Sequence, residues 1–257
     1  MNTAFRSYLQ LAAIAAALCL ACGASRGGEL SVRLSVEEPG GVARKSEPAW
    51  GGVPLPAGEF KKDQEFTLSS GGAAVPAQVL PLVVDEKGFV RWVLVDTQVD
   101  LAAKGKKELV LTAGKSSAKP QMAVKVTESA DGVTVDTGRV KFSISKSKPF
   151  CLFNSVEAGG KAVVSGGAVS YTDGFDGKKY NAAKPASVAV EYQGPMRATL
   201  CVKGRFTGDE KNAFQYVARF TAWAGLSRVH VKYSLCNSNP DHYCFRQVKD
   251  SSIVLAL

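Results

Sequence analysis

PMRATLCVKGRFTGDEKNAFQYVARFTAWAGLSRVHVKYSLCNSNPDHYCFR, from Pro195 to Arg246, reads as three consecutive β-strands joined by polar turns. In the first, Met196–Phe206, every second residue from Met196 to Val202 is apolar, and Phe206 rejoins the set. Arg197, Thr199, Cys201, Lys203 and Arg205 take the other face. The second, Ala213–Trp223, sets Phe214, Tyr216, Ala218 and Phe220 against Gln215, Arg219, Thr221 and Trp223. The third alternates Val229, Val231, Tyr233 and Leu235 with Arg228, His230, Lys232 and Ser234. Alternation of this length marks half-buried antiparallel strands. Gly208–Asn212 and Ala224–Ser227 supply the turns.

The polar face is cationic. Arg197, Lys203, Arg205, Arg219, Arg228, His230 and Lys232 share it, and no carboxylate interrupts them within these strands. Two readings stand. The acids can lie on a neighbouring strand, leaving an ordinary solvated face. Alternatively the face is a platform for an acidic ligand, with Trp223 as a stacking surface.

The 257 residues carry a net charge of +9, with 46% hydrophobic and 21% charged residues. This is globular composition, sufficient for one large or two modest β domains. The basic balance points to an acidic partner: nucleic acid, a membrane surface or an acidic glycan. Lysine is dispersed and no nucleic-acid motif appears, so nucleic acid is not expected.

The N-terminus reads as a secretory signal peptide over residues 1–24. Arg6 precedes the apolar run Tyr8–Ala21, and small residues follow it. The run is too short for a spanning helix. Cleavage after Ala24 gives plain export. The alternative takes Leu20-Ala21-Cys22 as an imperfect lipobox and makes Cys22 a lipid anchor. Either way the protein is expected outside the cytoplasm, periplasmic or extracellular. Export permits disulfides among Cys151, Cys201, Cys236 and Cys244. Cys236 and Cys244 flank a loop they can close; the other reading leaves all four as free thiols.

Glu29–Val36, Glu65–Ser69, Val75–Val84, Phe89–Asp100 and Glu108–Thr112 read as strands. Glu37–Ala49 reads as a loop, and Trp50–Gly58 as a tight Gly/Pro corner. No helical period interrupts them, so a small closed barrel is expected over 29–115. Gly114–Pro120 is the linker candidate. From 120 to 257 short strands recur: Met122–Thr127, Gly132–Val135, Arg139–Ser145, Cys151–Glu157, Ala162–Val164, Ala168–Tyr171, Ser187–Tyr192 and the core hairpins. Asp173–Gly177 is a turn with two carboxylates, without the ligand spacing of an EF-hand.

These segments resemble a known family. GVPLPAG (Gly52–Gly58), VPAQ (Val75–Gln78) and GFVRWVLVD (Gly88–Asp96) look like the N-terminal RIFT-type barrel of exo-acting rhamnogalacturonan lyases. Four later segments are similar to that family's central β-sandwich: Gly132–Phe142, Gly194–Phe206, Arg219–Leu235 and Asn237–Gln247. The resemblance implies an all-β chain, a small barrel followed by a super-sandwich-like antiparallel β-sandwich. It also implies an acidic pectic polysaccharide as partner. Family members continue into an α/α toroid. This chain stops at the apolar strand Ser252–Leu257, so the sandwich is expected to be truncated and the chain a fragment or a reduced form.

The reaction implied is β-elimination. A cation neutralises the uronate carboxylate, a base removes the adjacent proton, and an acid protonates the leaving oxygen. Asn239–Arg246 concentrates suitable groups. His242 or Tyr243 is the candidate acid or base, and Arg246 the carboxylate clamp. The competing reading has Asp241–Tyr243 closing a strand-to-strand turn. The expected substrate-binding set is Arg197, Arg205, Arg219, Trp223, Arg228, His230 and Lys232. No nucleophile elbow, phosphate loop or zinc motif appears, and no metal or cofactor is expected. A non-catalytic glycan-binding protein and a structural envelope protein are the alternatives.

Overall fold

The computed structural model describes residues 30–208, 214–238 and 247–257, and every helix or strand assigned in them is a strand. The first unit has β1 (Ser31–Glu37), β2 (Arg44–Pro54), β3 (Phe66–Ser70), β4 (Ala73–Val75), β5 (Ala77–Val84), β6 (Val90–Leu101) and β7 (Lys106–Ala113). They pair antiparallel in two sheets, ordered β1-β7-β3-β4 and β2-β6-β5. One apolar core, including Leu68, Val90, Val93 and Leu111, lies between the sheets.

The two sheets enclose that one core. β1 and β2 are both edges of their sheets. An open cleft of about 590 Å³ runs along their seam, from Leu34 to Trp50. Val75–Val84 is two strands, because Pro76 has no N–H to continue a ladder. The loop before β2 is shorter than expected, and the supposed corner is half strand: Trp50–Pro54 pair with Trp92–Asp96 of β6. Pro48 and Pro54 are tolerated there because β2 is an edge strand. The buried Glu38 carboxylate fixes the preceding loop by accepting the N–H groups of Gly40, Gly41, Val42 and Lys104. Burial opposes its charge, but these donors outweigh burial and hold its carboxyl below the ordinary range.

The second unit has β8 (Lys125–Glu128), β9 (Gly132–Asp136), β10 (Val140–Ser145), β11 (Ser155–Ala158), β12 (Lys161–Val164), β13 (Gly166–Asp173) and β14 (Lys179–Asn181). It continues with β15 (Ser187–Gln193), β16 (Arg197–Arg205), β17 (Phe214–Trp223), β18 (Val229–Asn237) and β19 (Val248–Ala256). Sheets β12-β11-β10-β9-β8 and β15-β16-β17-β18 contribute the two faces of a sandwich core, and β14-β13-β19 forms a third sheet. Aromatic residues fill that core. Phe150 stacks on Tyr216 at 4.6 Å, and Phe142 and Phe153 pack against Phe220.

Residues 150–153 are buried but irregular, with Leu152 at φ 70°, so the strand expected from Cys151 begins only at Ser155. β14, which no alternation announces, pairs with β13. The Asp173–Gly177 turn is held locally: Asp173 Oδ1 accepts the N–H groups of Phe175 and Asp176. Cys151 and Cys201 are buried free thiols, whereas the Cys236–Cys244 pairing involves a residue outside the described ones.

Candidate functional site

The polar face of β16–β18 is where the units meet. Residues directly opposite one another across a ladder share a sheet face. In the first unit Gln78, Asp96 and Trp50 form such a row across β5, β6 and β2. In the second, Arg197 of β16 lies opposite Trp223 of β17. The two rows lie against each other. Asp96 Oδ1 is 3.0 Å from Arg197 Nε, and the Trp50 and Trp223 rings lie 5.9 Å apart, tilted by 32°. Gln78 Oε1 accepts the N–H groups of Met196 and Arg197, each at 3.1 Å. Two residues further along β6, Gln98 Nε2 donates to the Ala224 carbonyl.

This junction corrects the alternation of β16. Both of its faces are buried from Arg197 to Val202, so Arg197, Thr199 and Cys201 are not exposed. Arg197 is enclosed by Asp96 and by the Tyr192 ring, 5.0 Å away. The ion pair is off-line: neither Asp96 oxygen nor Arg197 Nε or Nη2 makes a directed hydrogen bond among the described residues. Burial therefore raises the Asp96 carboxyl to about 6, against the pull of Arg197.

The acids missing from the cationic strands sit on their neighbours. Arg219 makes a two-pronged pair with Glu191 of β15, at 2.8 and 2.9 Å. This bond from Arg219 lowers the Glu191 carboxyl, although burial works against it. Arg228 reaches Glu47 of β2 at 2.9 Å. Arg205, His230 and Lys232 are exposed and have no carboxylate partner among the described residues.

Trp223, Arg228 and His230 meet in one place. With Glu47, Pro48 and Trp50 they line a cleft of about 340 Å³ at the unit junction. Its aromatic wall differs from the expected one. Trp223 is only 6% exposed and backs Trp50, which is 57% exposed. Trp50 escapes the sequence reading because it opens a Gly/Pro-rich stretch that reads as a corner. Its one signal in the sequence is the pair Gly51-Gly52, which leaves the ring without bulky neighbours further along its strand. Asp96, Glu47 and Gln78 carried no signal. Arg205 and Lys232 lie elsewhere on the sheet and do not line this cleft. His242, Tyr243 and Arg246 lie outside the described residues. Those residues contain no cluster of His, Cys, Asp or Glu able to hold a metal, and no helix long and apolar enough to cross a membrane.

The architecture is that of an all-β protein with a two-sheet unit docked on an antiparallel sandwich. Residues 124–246 match the family model described as the PcRGLX-like protein central beta sandwich domain. Strand β19 extends the sandwich beyond the matched segment. Among solved structures, an alpha-mannosidase from Enterococcus faecalis V583 is similar in fold, with a TM-score of 0.50 at 11% identity. The similarity covers 80% of this chain and only 30% of the mannosidase chain. No curated protein matches in sequence.

Proposed function

We propose that this chain is an exported carbohydrate-active protein that holds an acidic, rhamnogalacturonan-like glycan. In this reading it is the N-terminal part of a polysaccharide lyase that cleaves by β-elimination. One observation carries recognition: the exposed Trp50 ring, backed by Trp223, beside Arg228 and His230 in a cleft between the units. Sugar rings present apolar C–H faces that pack on an aromatic ring, and a uronate adds a carboxylate for a cation to hold. Arg228 can serve although it is paired. The Glu47–Arg228 bridge is exposed, and such bridges contribute about 0–1 kcal/mol, so an incoming carboxylate displaces Glu47 at small cost. Arg219, Arg205 and Lys232 extend the cationic surface along the sheet. Arg197 is too enclosed to reach a ligand and acts by positioning Trp223, its cross-strand neighbour.

The sequence supports His242 or Tyr243 as the acid or base of the elimination, with Arg246 neutralising the uronate. Export rests on the signal-peptide pattern at residues 1–24. A second reading keeps the recognition and drops the cleavage. It is favoured by the cleft itself, where Glu47 is tied to Arg228 and His230 is the one remaining titratable side chain.

The test uses residues 25–257 with rhamnogalacturonan, following absorbance of the unsaturated uronate product and binding in one sample. Product that disappears with His242→Ala or Tyr243→Phe supports the lyase. Binding without product supports the recognition protein. Neither binding nor product overturns the glycan reading altogether.

A further inference from the structure

We infer that the junction holds a second, separate site for a carboxylate-bearing sugar, on the other side of the β2 bulge from the Trp50 cleft. The β2–β6 register slips between Arg44 and Glu47, which sets Lys45 and Ser46 against the single residue Asp100. Ser46 sits at φ 49°, a left-handed conformation costly for a residue with a Cβ, and its N–H is held by Asp100 Oδ1 at 2.6 Å. Strain of this kind persists only where the surroundings impose it, and bulges commonly re-aim side chains beside binding sites.

Beyond the bulge lies a cleft of about 540 Å³, walled by Lys45, Ser46, Gln98, Asp100, Lys107 and Arg139 among others. The size suits one sugar ring or two. Its three cations come from three places: the β2 bulge, strand β7 and the turn before β10. None of them has a carboxylate partner among the described residues. One carboxylate lines it too, Asp100, whose Oδ1 accepts the Ser46 N–H. Three cations against one carboxylate leave the cleft positive, which favours an entering anion.

This cleft and the Trp50 cleft share no residue. They are nevertheless adjacent at two points of the chain. Lys45 and Ser46 line one while Glu47 and Pro48 line the other, and Ala224 and Gly225 line one while Trp223 and Arg228 line the other. A single glycan wrapping this junction would put an acidic sugar in each. The choice of a sugar acid over a free oxyanion rests on the glycan reading above; the anion site itself does not.

Calorimetric titration of the same protein with galacturonate, galactose and inorganic sulfate tests the assignment. Galacturonate should bind, galactose should not, and sulfate should bind at least tenfold more weakly. Lys107→Met with Arg139→Met should weaken galacturonate at least tenfold, while Trp50→Ala leaves that binding in place. Circular dichroism and thermal melting check that each variant is folded. If the Trp50 variant loses the polymer but keeps galacturonate, the two sites are separate. If the wild type binds galacturonate but no polymer, the glycan reading fails and the anion site survives. Unchanged galacturonate affinity in the folded Lys107/Arg139 variant overturns the proposal. Sulfate binding as tightly as galacturonate overturns the assignment to a sugar.

Discussion

Replacing Asp96 with asparagine should expose an inverted pH dependence. A carboxylate beside an arginine is ordinarily held below its usual value and stabilises a fold as pH rises. Asp96 is 2% exposed, and burial lifts it from 3.8 to about 6 although Arg197 pulls the other way. The folded state therefore binds a proton more tightly than the unfolded chain does. Stability from this group is complete below about pH 4 and is lost as pH rises through about 6. At 1.36 kcal/mol per pH unit, the loss is about 3 kcal/mol, a large share of a typical 5–15 kcal/mol. Asparagine has the same shape and does not titrate. It leaves Arg197 unpaired, but arginine stays charged throughout, so that penalty is the same at every pH. The other carboxylates, Glu38 and Glu191 included, are common to both proteins and cancel in the difference. The assay is urea unfolding from about pH 4 to about pH 8, read by tryptophan fluorescence. Trp50 and Trp223 touch across the junction, so the signal reports the docked state. Wild type should lose about 3 kcal/mol relative to Asp96→Asn between about pH 4 and about pH 7. A flat difference, or a wild type that gains on the variant as pH rises, would refute the argument.

Other outcomes follow from the same geometry. A Cβ at Gly194 would fall within the Gln78 amide, so Gly194→Ala should break the bonds from Met196 and Arg197 and loosen the junction. It should lower stability by about 1–3 kcal/mol, with faster hydrogen exchange at Met196 and Arg197. Phe220→Ala should cost about 3–5 kcal/mol in thermal or urea unfolding, because the ring is fully buried against Phe142 and Phe153. Trp50→Ala should weaken polymeric glycan about 30-fold, as expected of an aromatic anchor near 2 kcal/mol, with little change in melting temperature because the ring is exposed. Arg219→Ala should change stability by about 1 kcal/mol at most despite its two-pronged geometry, since the pair with Glu191 is exposed.

The hairpins of β16, β17 and β18 were legible because a period of two is a local property. Phe214, Tyr216, Ala218 and Phe220 announce a buried face whatever they pack against, and the structure buries that face. Turn chemistry is local too, and it located most strand ends. The alternation on β16 misled for the opposite reason. Whether Arg197 and Thr199 meet water depends on the first unit, whose row of Gln78, Asp96 and Trp50 lies more than 100 residues away in the chain. The first unit's strands were readable one by one, but their division into two sheets is a matter of long-range pairing.

The candidate site was half legible. Arg228, His230 and Trp223 stood out because they belong to one hairpin, and Trp50 did not because its partner ring is remote. The basic balance, the all-β class and the cationic face of one sheet follow from the amino-acid sequence alone, since each is composition or near-neighbour pattern. Which of those cations are neutralised was decided by strand pairing and by the docking of the two units, and the docking also decided which tryptophan is presented to solvent and where two clefts open. A carboxylate three ångströms from a guanidinium can come from anywhere in the chain, and only the folded backbone brings Asp96, Glu47 and Glu191 to their arginines.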